Sequence, residues 1–402
     1  MPLPSRPLAF GGLCVAGVAA AIAAADRADN AASSPIHPPG HWRVVLIAGL
    51  ALALVAYVLG VLSLRNARGP VAAVLAVAAA VQLAPLAGPT LLSTDVYTYW
   101  MYGRIGAVHD GNPYSDPPSA YPNDPAYTKM GSSWRNTTSL YGPLFTLGSE
   151  GEAKLAGDDG DRAAQLSRLA AAVAMLAAVA AAAALAKRPA FGAAFVGWNP
   201  LLALHFAGGG HNDAPMMALV LVALLLADRG YPNLAGGAWA AAIAIKWVPV
   251  AFLALWLLYR RRRGLPLGIP GLAAGGAILV ALATLAFGSA WLHAFKGLSG
   301  QARRTGSIGL SQWLGDLGLG HRQRLAVIAL FLLVAFALLA WWALRRRLRL
   351  GVAGSALAFG QGWLNPWYAS WGVSLSATDD DRLAQLLAVV LSAFLLRDAI
   401  PI

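Results

Sequence analysis

Charge is scarce in this sequence. Only 12% of its 402 residues are charged, against 58% hydrophobic, whereas a soluble chain carries about 25% charged and about 45–50% apolar residues. Acidic residues are scarcer than basic ones, 18 against 30, leaving a formal charge of +12. Cysteine is nearly absent: the single Cys14 permits neither a disulfide framework nor a cysteine-based metal site within one chain. These shortages exclude a soluble enzyme, a disordered regulator and a fibrous protein. What fills the chain instead is a succession of apolar stretches up to residue 400, the pattern of an all-α, polytopic membrane protein.

The basic residues fall in short clusters between apolar runs: Arg65 with Arg68, Lys187 with Arg188, Arg260 to Arg263, and Arg345 to Arg349. Such clusters follow the positive-inside rule and suit anionic head groups, so no nucleic-acid partner is expected. A crossing helix needs about 20 apolar residues. Spans are expected near 8–25, 43–63, 71–92, 163–186, 190–207, 213–228, 267–288, 323–344 and 383–400. Two more stretches, 233–259 and 350–378, are broken by Lys246-Trp247-Val248-Pro249 and Asn365-Pro366-Trp367, giving 11 to 13 segments in one domain over 1–402. The first run, ending near Ala23-Ala24-Ala25, reads as an anchor rather than a cleaved signal. With the basic loops inside, Arg229 and Arg260–Arg263 share a side, so 233–259 is expected to be a hairpin. The loops 93–162 and 289–322 then lie outside.

The loop 93–162 is rich in turn formers and in Tyr and Trp, a composition that argues against disorder and for function. Its stretch Val96 to Val108 is expected to form a short helix on the membrane plane. Asp95, directly after the third span, could be a general base or simply a helix cap. Arg104 could hold a phosphate or snorkel among head groups. In Gly208-Gly209-Gly210-His211-Asn212-Asp213 the glycines break a helix, and Asp213 could orient His211 toward an ion or phosphate, or the segment could be a capped turn. Lys246, set in apolar sequence, is costly there and suggests an anionic partner, with a snorkelling lysine as alternative. His293, Lys296, Arg303 and Arg304 place cations on the outer side, against the trend; a phosphate leaving group or lipid head groups would explain them. Trp367 and Tyr368 could stack on a sugar or form an interfacial belt. The run Asp379-Asp380-Asp381 reads as a solvated turn rather than a nucleotide-sugar motif.

Taken in order, Asp95-Val96-Tyr97, Tyr102-Gly103-Arg104, Gly111-Asn112-Pro113-Tyr114, Tyr141-Gly142-Pro143, Trp198-Asn199-Pro200, Gly210-His211-Asn212-Asp213, Ala244-Ile245-Lys246-Trp247 and Asn365-Pro366-Trp367-Tyr368 resemble the GT-C superfamily of integral-membrane glycosyltransferases. Within it the chain most resembles the bacterial polyprenyl-phosphate-mannose-dependent mannosyltransferases of actinobacterial cell envelopes. The resemblance implies a multi-pass plasma-membrane enzyme working on the extracytoplasmic face. It implies a polyprenyl-phosphate-sugar donor, a glycolipid or polysaccharide acceptor, and transfer with inversion. The family's catalytic carboxylate falls on Asp95. Lys246, Arg303, Arg304, His211 and Arg104 are the candidates for the donor phosphate, and Tyr97, Tyr102, Asn112, Tyr114, Asp213, Trp367 and Tyr368 for substrate contacts. No cofactor is expected; a divalent metal is compatible but not required. The chain carries a single Asp-Val-Tyr where several branches pair two carboxylates. It is expected to work without the large soluble C-terminal domain that other branches use for the acceptor. The competing expectation is a transporter or flippase of lipid-linked sugars, since broken helices and buried charge suit carriers too, or an inactive assembly partner.

Overall fold

A computed structural model describes residues 6–66, 70–378 and 380–401; Arg68 and Asp379 lie outside them. The described residues form helices and no strands. In chain order these include α1 (Arg6–Ala25), α2 (Trp42–Asn66), α3 (Val71–Leu83), α4 (Asp95–Ala107), α5 (Pro143–Ala156), α6 (Gly160–Leu185), α7 (Pro189–Gly197), α8 (Pro200–Ala203), α9 (Asp213–Asp228), α10 (Pro232–Ile245), α11 (Pro249–Arg263), α12 (Ile269–Phe287), α13 (Ala294–Gln301), α14 (His321–Leu344), α15 (Leu350–Phe359), α16 (Ala369–Ser376) and α17 (Arg382–Leu396).

Five helices, α1, α2, α6, α12 and α14, are long and apolar enough to cross a membrane, and α7 with the segment 200–208, bent by 53°, makes a sixth. At 1.5 Å per residue, 20 residues reach about 30 Å, the thickness of the hydrocarbon core. Of the remaining expected spans, 213–228 has the bounds expected, while 71–92 and 383–400 end earlier. Val71–Ala87, Pro232–Ile245 and Leu350–Phe359 are apolar helices of 10–17 residues, and α9 and α17 have 16 and 15. Val71–Ala87 and Leu350–Phe359 end at Gly88 and Gly360, whereas α9, α10 and α17 end where charged residues begin, at Asp228-Arg229, Lys246 and Arg397-Asp398. By length and apolarity five or six of the described helices qualify as full spans; the 11 to 13 expected segments also include the shorter and broken helices. The 233–259 hairpin is found: Gly268, just past α11, lies against Pro232 at the start of α10, and the break at 246–248 is the tip, where Trp247 donates to Leu140 O.

The basic clusters gather at one end of the bundle. Arg188 donates to the Arg65 carbonyl, Lys187 pairs with Asp380 at 3.6 Å, Arg262 donates to Leu344 O, and Arg349 grips Asp381 at 2.5 and 2.8 Å. Asp381 also caps α17, so the acidic run, as far as it is described, acts as a paired turn. At the opposite end, Ser34 donates to Asp398, Asn112 to Phe287 O and Trp247 to Leu140 O. Helices α12 and α14 turn apolar side chains outward, Leu285 and Leu333 being 84% and 69% exposed, as a hydrocarbon solvent would accept.

The segment 93–162 folds as a layer over that opposite end. The expected short helix forms as α4, and it is covered by protein rather than exposed: Val96 and the run from Thr98 to Ile105 are buried. Tyr99 meets Phe145 and Tyr141 edge to face, with centroids 4.9 and 5.3 Å apart. A Cβ at Gly103 would stand 2.0 Å from Ser149 O, so only glycine lets α4 and α5 pack this closely.

Candidate active site

Four interruptions of the helical pattern meet at the end opposite the basic clusters: the start of α4, the turn before α9, the α10–α11 tip and the turn before α16. Each breaks a helix and so frees polar groups that a continuous helix would tie up. Together they carry Asp95, His211, Asp213, Lys246, Trp367 and Tyr368.

Asp95 is the first residue of α4, not its cap. Thr94 occupies the cap position without a side-chain bond, and the Asp95 N–H donates to Ser93 Oγ at 3.1 Å. The carboxylate lies 3.6 Å from His211 Nδ1, and its side chain keeps 15% exposure. Burial pushes the Asp95 carboxyl up to about 6; Lys246 pulls it back, while Asp213 pushes it further. His211 is fully buried, with both ring nitrogens unpartnered, and stacks on Trp367 at 3.6 Å and 16°. Burial, with the nearby His205 and Lys246, holds its imidazole well below the usual range and hence neutral.

Lys246 does not snorkel. Its Nζ donates to Asp213 Oδ2 at 2.6 Å and Asn212 Oδ1 at 3.4 Å and lies 5.1 Å from the Tyr368 ring centroid. Asp213 Oδ1 in turn accepts from Trp371 Nε1 at 2.7 Å, so one carboxylate bridges the cation and an indole. A cleft of about 160 Å³ opens beside Lys246 and Tyr368, with Gln301, Gln361, Trp363 and Asn365 in its walls. Arg304 stands near its mouth, 5.0 Å from the rings of both Trp134 and Trp363. Among the described residues no three His, Cys, Asp or Glu side chains form a metal-ligand set.

Other candidates lie elsewhere. Arg104 is buried and spent on structure: Nε on both oxygens of Asp124, Nη1 on Gly157 O, and Nη2 on Asp158. Its charge is paired with Asp124 and Asp158 inside the layer rather than held free for a phosphate, and it does not snorkel. Asn112 donates to Phe287 O and accepts from Tyr114 N. Tyr114 is buried with its hydroxyl on Tyr141 O and Thr146, and Tyr102 donates to Thr137 O. These three hold the layer together. Tyr97 faces a different cavity. Arg303, His293 and Lys296 are exposed. The site also contains Trp371, His205 and Trp363, which the sequence does not single out, and Trp134, which it gives only as one aromatic of the loop 93–162. Trp371 follows Tyr368 at helical spacing, which was the available signal; His205 and Trp363 carry no local signal.

A family described as "Alpha-(1->6)-mannopyranosyltransferase, N-terminal domain" matches residues 5–261, and "Glycosyltransferase family 87" matches residues 160–364. The chain is 25% identical over 333 residues to alpha-(1->6)-mannopyranosyltransferase A of Corynebacterium glutamicum, covering 72% of this chain and 67% of that one. It is 29% identical over 350 residues to a probable alpha-(1->6)-mannopyranosyltransferase of Mycolicibacterium smegmatis, covering 72% and 62%. With alpha-(1->6)-mannopyranosyltransferase A of Mycobacterium tuberculosis it shares 27% over 330 residues, covering 73% and 63%. The chain thus spans about two thirds or less of the length of these relatives. No solved structure matches. These are families of the kind the ordered motifs resemble, and the chain belongs to the alpha-(1->6)-mannopyranosyltransferase N-terminal domain family and to glycosyltransferase family 87.

Proposed function

We propose that the protein moves a mannosyl residue from a polyprenyl-phosphate donor to a hydroxyl of an envelope glycolipid or polysaccharide, on the extracytoplasmic face of a bacterial plasma membrane. The observation that carries this reading is a partly exposed carboxylate, Asp95, within electrostatic reach of Lys246, the cation that lines a cleft at the end opposite the basic clusters. If those clusters face the cytoplasm, the cleft faces outward.

In this reading the acceptor hydroxyl gives its proton to Asp95 as its oxygen bonds to C1 of the sugar. The C1–O bond to phosphate breaks with inversion, and polyprenyl phosphate leaves. Asp95, with its carboxyl near 6, is ionised at neutral pH and basic enough to take a proton. His211 stays neutral and sets the carboxylate's position; hydrogen bonds that are long in an empty site tighten around substrate. Lys246 faces the charge that grows on the leaving phosphate, where a placed donor accelerates most. Asp213 and Trp371 hold it there. Arg304 supplies a second cation near the mouth. The scheme needs no metal.

The bent pair at 189–208 favours the carrier reading, because discontinuous helices also line transport paths. Proteoliposomes containing labelled polyprenyl-phosphate-mannose and a mannolipid acceptor separate the two. Label in the acceptor supports the transferase. Donor that changes leaflet with no label in the acceptor refutes it.

A further inference from the structure

A second cavity, of about 430 Å³, lies at the same end of the molecule, bounded by the loop 28–32, by Pro89 and Thr90, by Tyr97 and by the start of α6. Its size is that of a small-ligand site, roughly 300–1,000 Å³. Tyr97 is half-buried and is the one aromatic ring in the lining. Around it stand the planar or hydroxylic groups of Asp29, Thr90, Asp161 and Gln165. An aromatic ring receives the C–H face of a sugar, while carboxylates, a carboxamide and a hydroxyl meet its hydroxyls.

The charges of this cavity are already engaged. Arg168 is buried and commits Nε to Ala207 O, Nη2 to Pro85 O and Gly88 O, and Nη1 to Gln165 Oε1. It has no free fork for a phosphate. Lys129 lies over the Tyr97 ring at 5.5 Å and pairs with Asp161 at 3.4 Å. Two carboxylates outnumber the one cation in the lining, and that cation offers no free bidentate fork, so the lining suits hydroxyl groups better than an anion. The wall of the cavity is also the strand of chain that presents Asp95. Leu91 N–H donates to Gly208 O and Leu92 N–H to Ala31 O, which fastens residues 90–97 to both the His211 turn and the 28–32 loop.

We infer that this cavity binds a neutral glycan, the part of the acceptor chain that lies beyond the reacting hydroxyl. The inference rests on the transferase reading for the identity of the chain, but the binding itself is separately measurable. The probe is α-(1→6)-linked mannotriose, added without donor to full-length protein in detergent, with binding read by saturation-transfer NMR and titration calorimetry. Inorganic phosphate is the second probe. Tyr97→Ala and Gln165→Leu test the two kinds of contact; Gln165 is exposed on α6, so its replacement leaves folding intact. Mannotriose should bind the wild type and bind either variant at least tenfold more weakly, with phosphate silent. In the transfer assay both variants should raise the acceptor KM about tenfold and leave the donor KM unchanged. No mannotriose binding by the wild type, equal binding by all three proteins, or phosphate binding lost in the variants would each overturn the inference. A wild type that transfers mannose while the variants bind mannotriose normally removes this site and leaves the transferase standing. Binding that depends on Tyr97 in a protein that transfers nothing keeps the glycan site and removes the transferase.

Discussion

Replacing Arg104 by Met distinguishes an arginine that builds the outer layer from one that binds a donor. Its ion pair with Asp158, which is 83% exposed, contributes about 0–1 kcal/mol, as exposed pairs do. The pair with Asp124 is different: the two side chains are 4% and 0% exposed. Removing one member of such a pair costs about 3–5 kcal/mol, because the other charge stays buried without its partner. Asp124 would retain His109 Nε2 at 2.6 Å and the Ala126 N–H at 2.8 Å, which places the cost near the lower end, about 3 kcal/mol. The assay is thermal unfolding in detergent, followed by tryptophan fluorescence, with donor KM measured at a temperature where the variant remains folded. The unfolding midpoint should fall clearly and the donor KM should stay within twofold. Arg104→Lys, which keeps charge but loses the planar fork, should lie between. A Met variant with an unchanged midpoint and a tenfold higher donor KM would refute the structural role.

Lys246→Met should lower kcat about 100-fold or more, the scale for losing one placed donor at a developing charge; steady-state kinetics in liposomes check it, and a change confined to KM would count against the role. The kcat/KM of the wild type should fall tenfold per pH unit below an acid limb near 6, because a base must be deprotonated and Asp95 is raised to about 6. In Lys246→Met any residual activity should show that limb at higher pH, since the cation that favours the carboxylate is gone. Gly103→Ala should destabilise by about 1–3 kcal/mol as an overpacked contact, its Cβ falling 2.0 Å from Ser149 O. Gly151→Ala on α5, with nothing within 4 Å, should leave the unfolding midpoint in place.

Membrane character was legible because scarcity of charge is a property of the whole chain. The hairpin at 233–259 was legible because Arg229 and the Arg260–Arg263 cluster had to share a side. The polar breaks that come together at Asp95, His211, Lys246 and Trp367 stood out for one reason: polarity inside apolar sequence is expensive and therefore conspicuous. Helix lengths were not legible. Apolar composition continues past Gly88 and Gly360, where the helices that begin at Val71 and Leu350 end, so their lengths do not follow the runs that contain them. The placement of Arg104 was not legible either. Its partner Asp124 lies 20 residues away, across turns whose path only the folded layer defines, and an arginine on such a loop reads the same whether it meets a phosphate or an aspartate. Trp371 was hidden because tryptophan counts as apolar in a span, although its indole N–H is what anchors Asp213.

The central claim is that Asp95 takes the acceptor's proton. Single-turnover transfer from labelled polyprenyl-phosphate-mannose, in liposomes holding wild type or Asp95→Asn, tests it most directly. The amide preserves shape but cannot accept the proton, so transfer should fall by about 10²–10⁴, the usual worth of a general base, while the donor remains bound. Transfer by Asp95→Asn within tenfold of wild type would contradict the account.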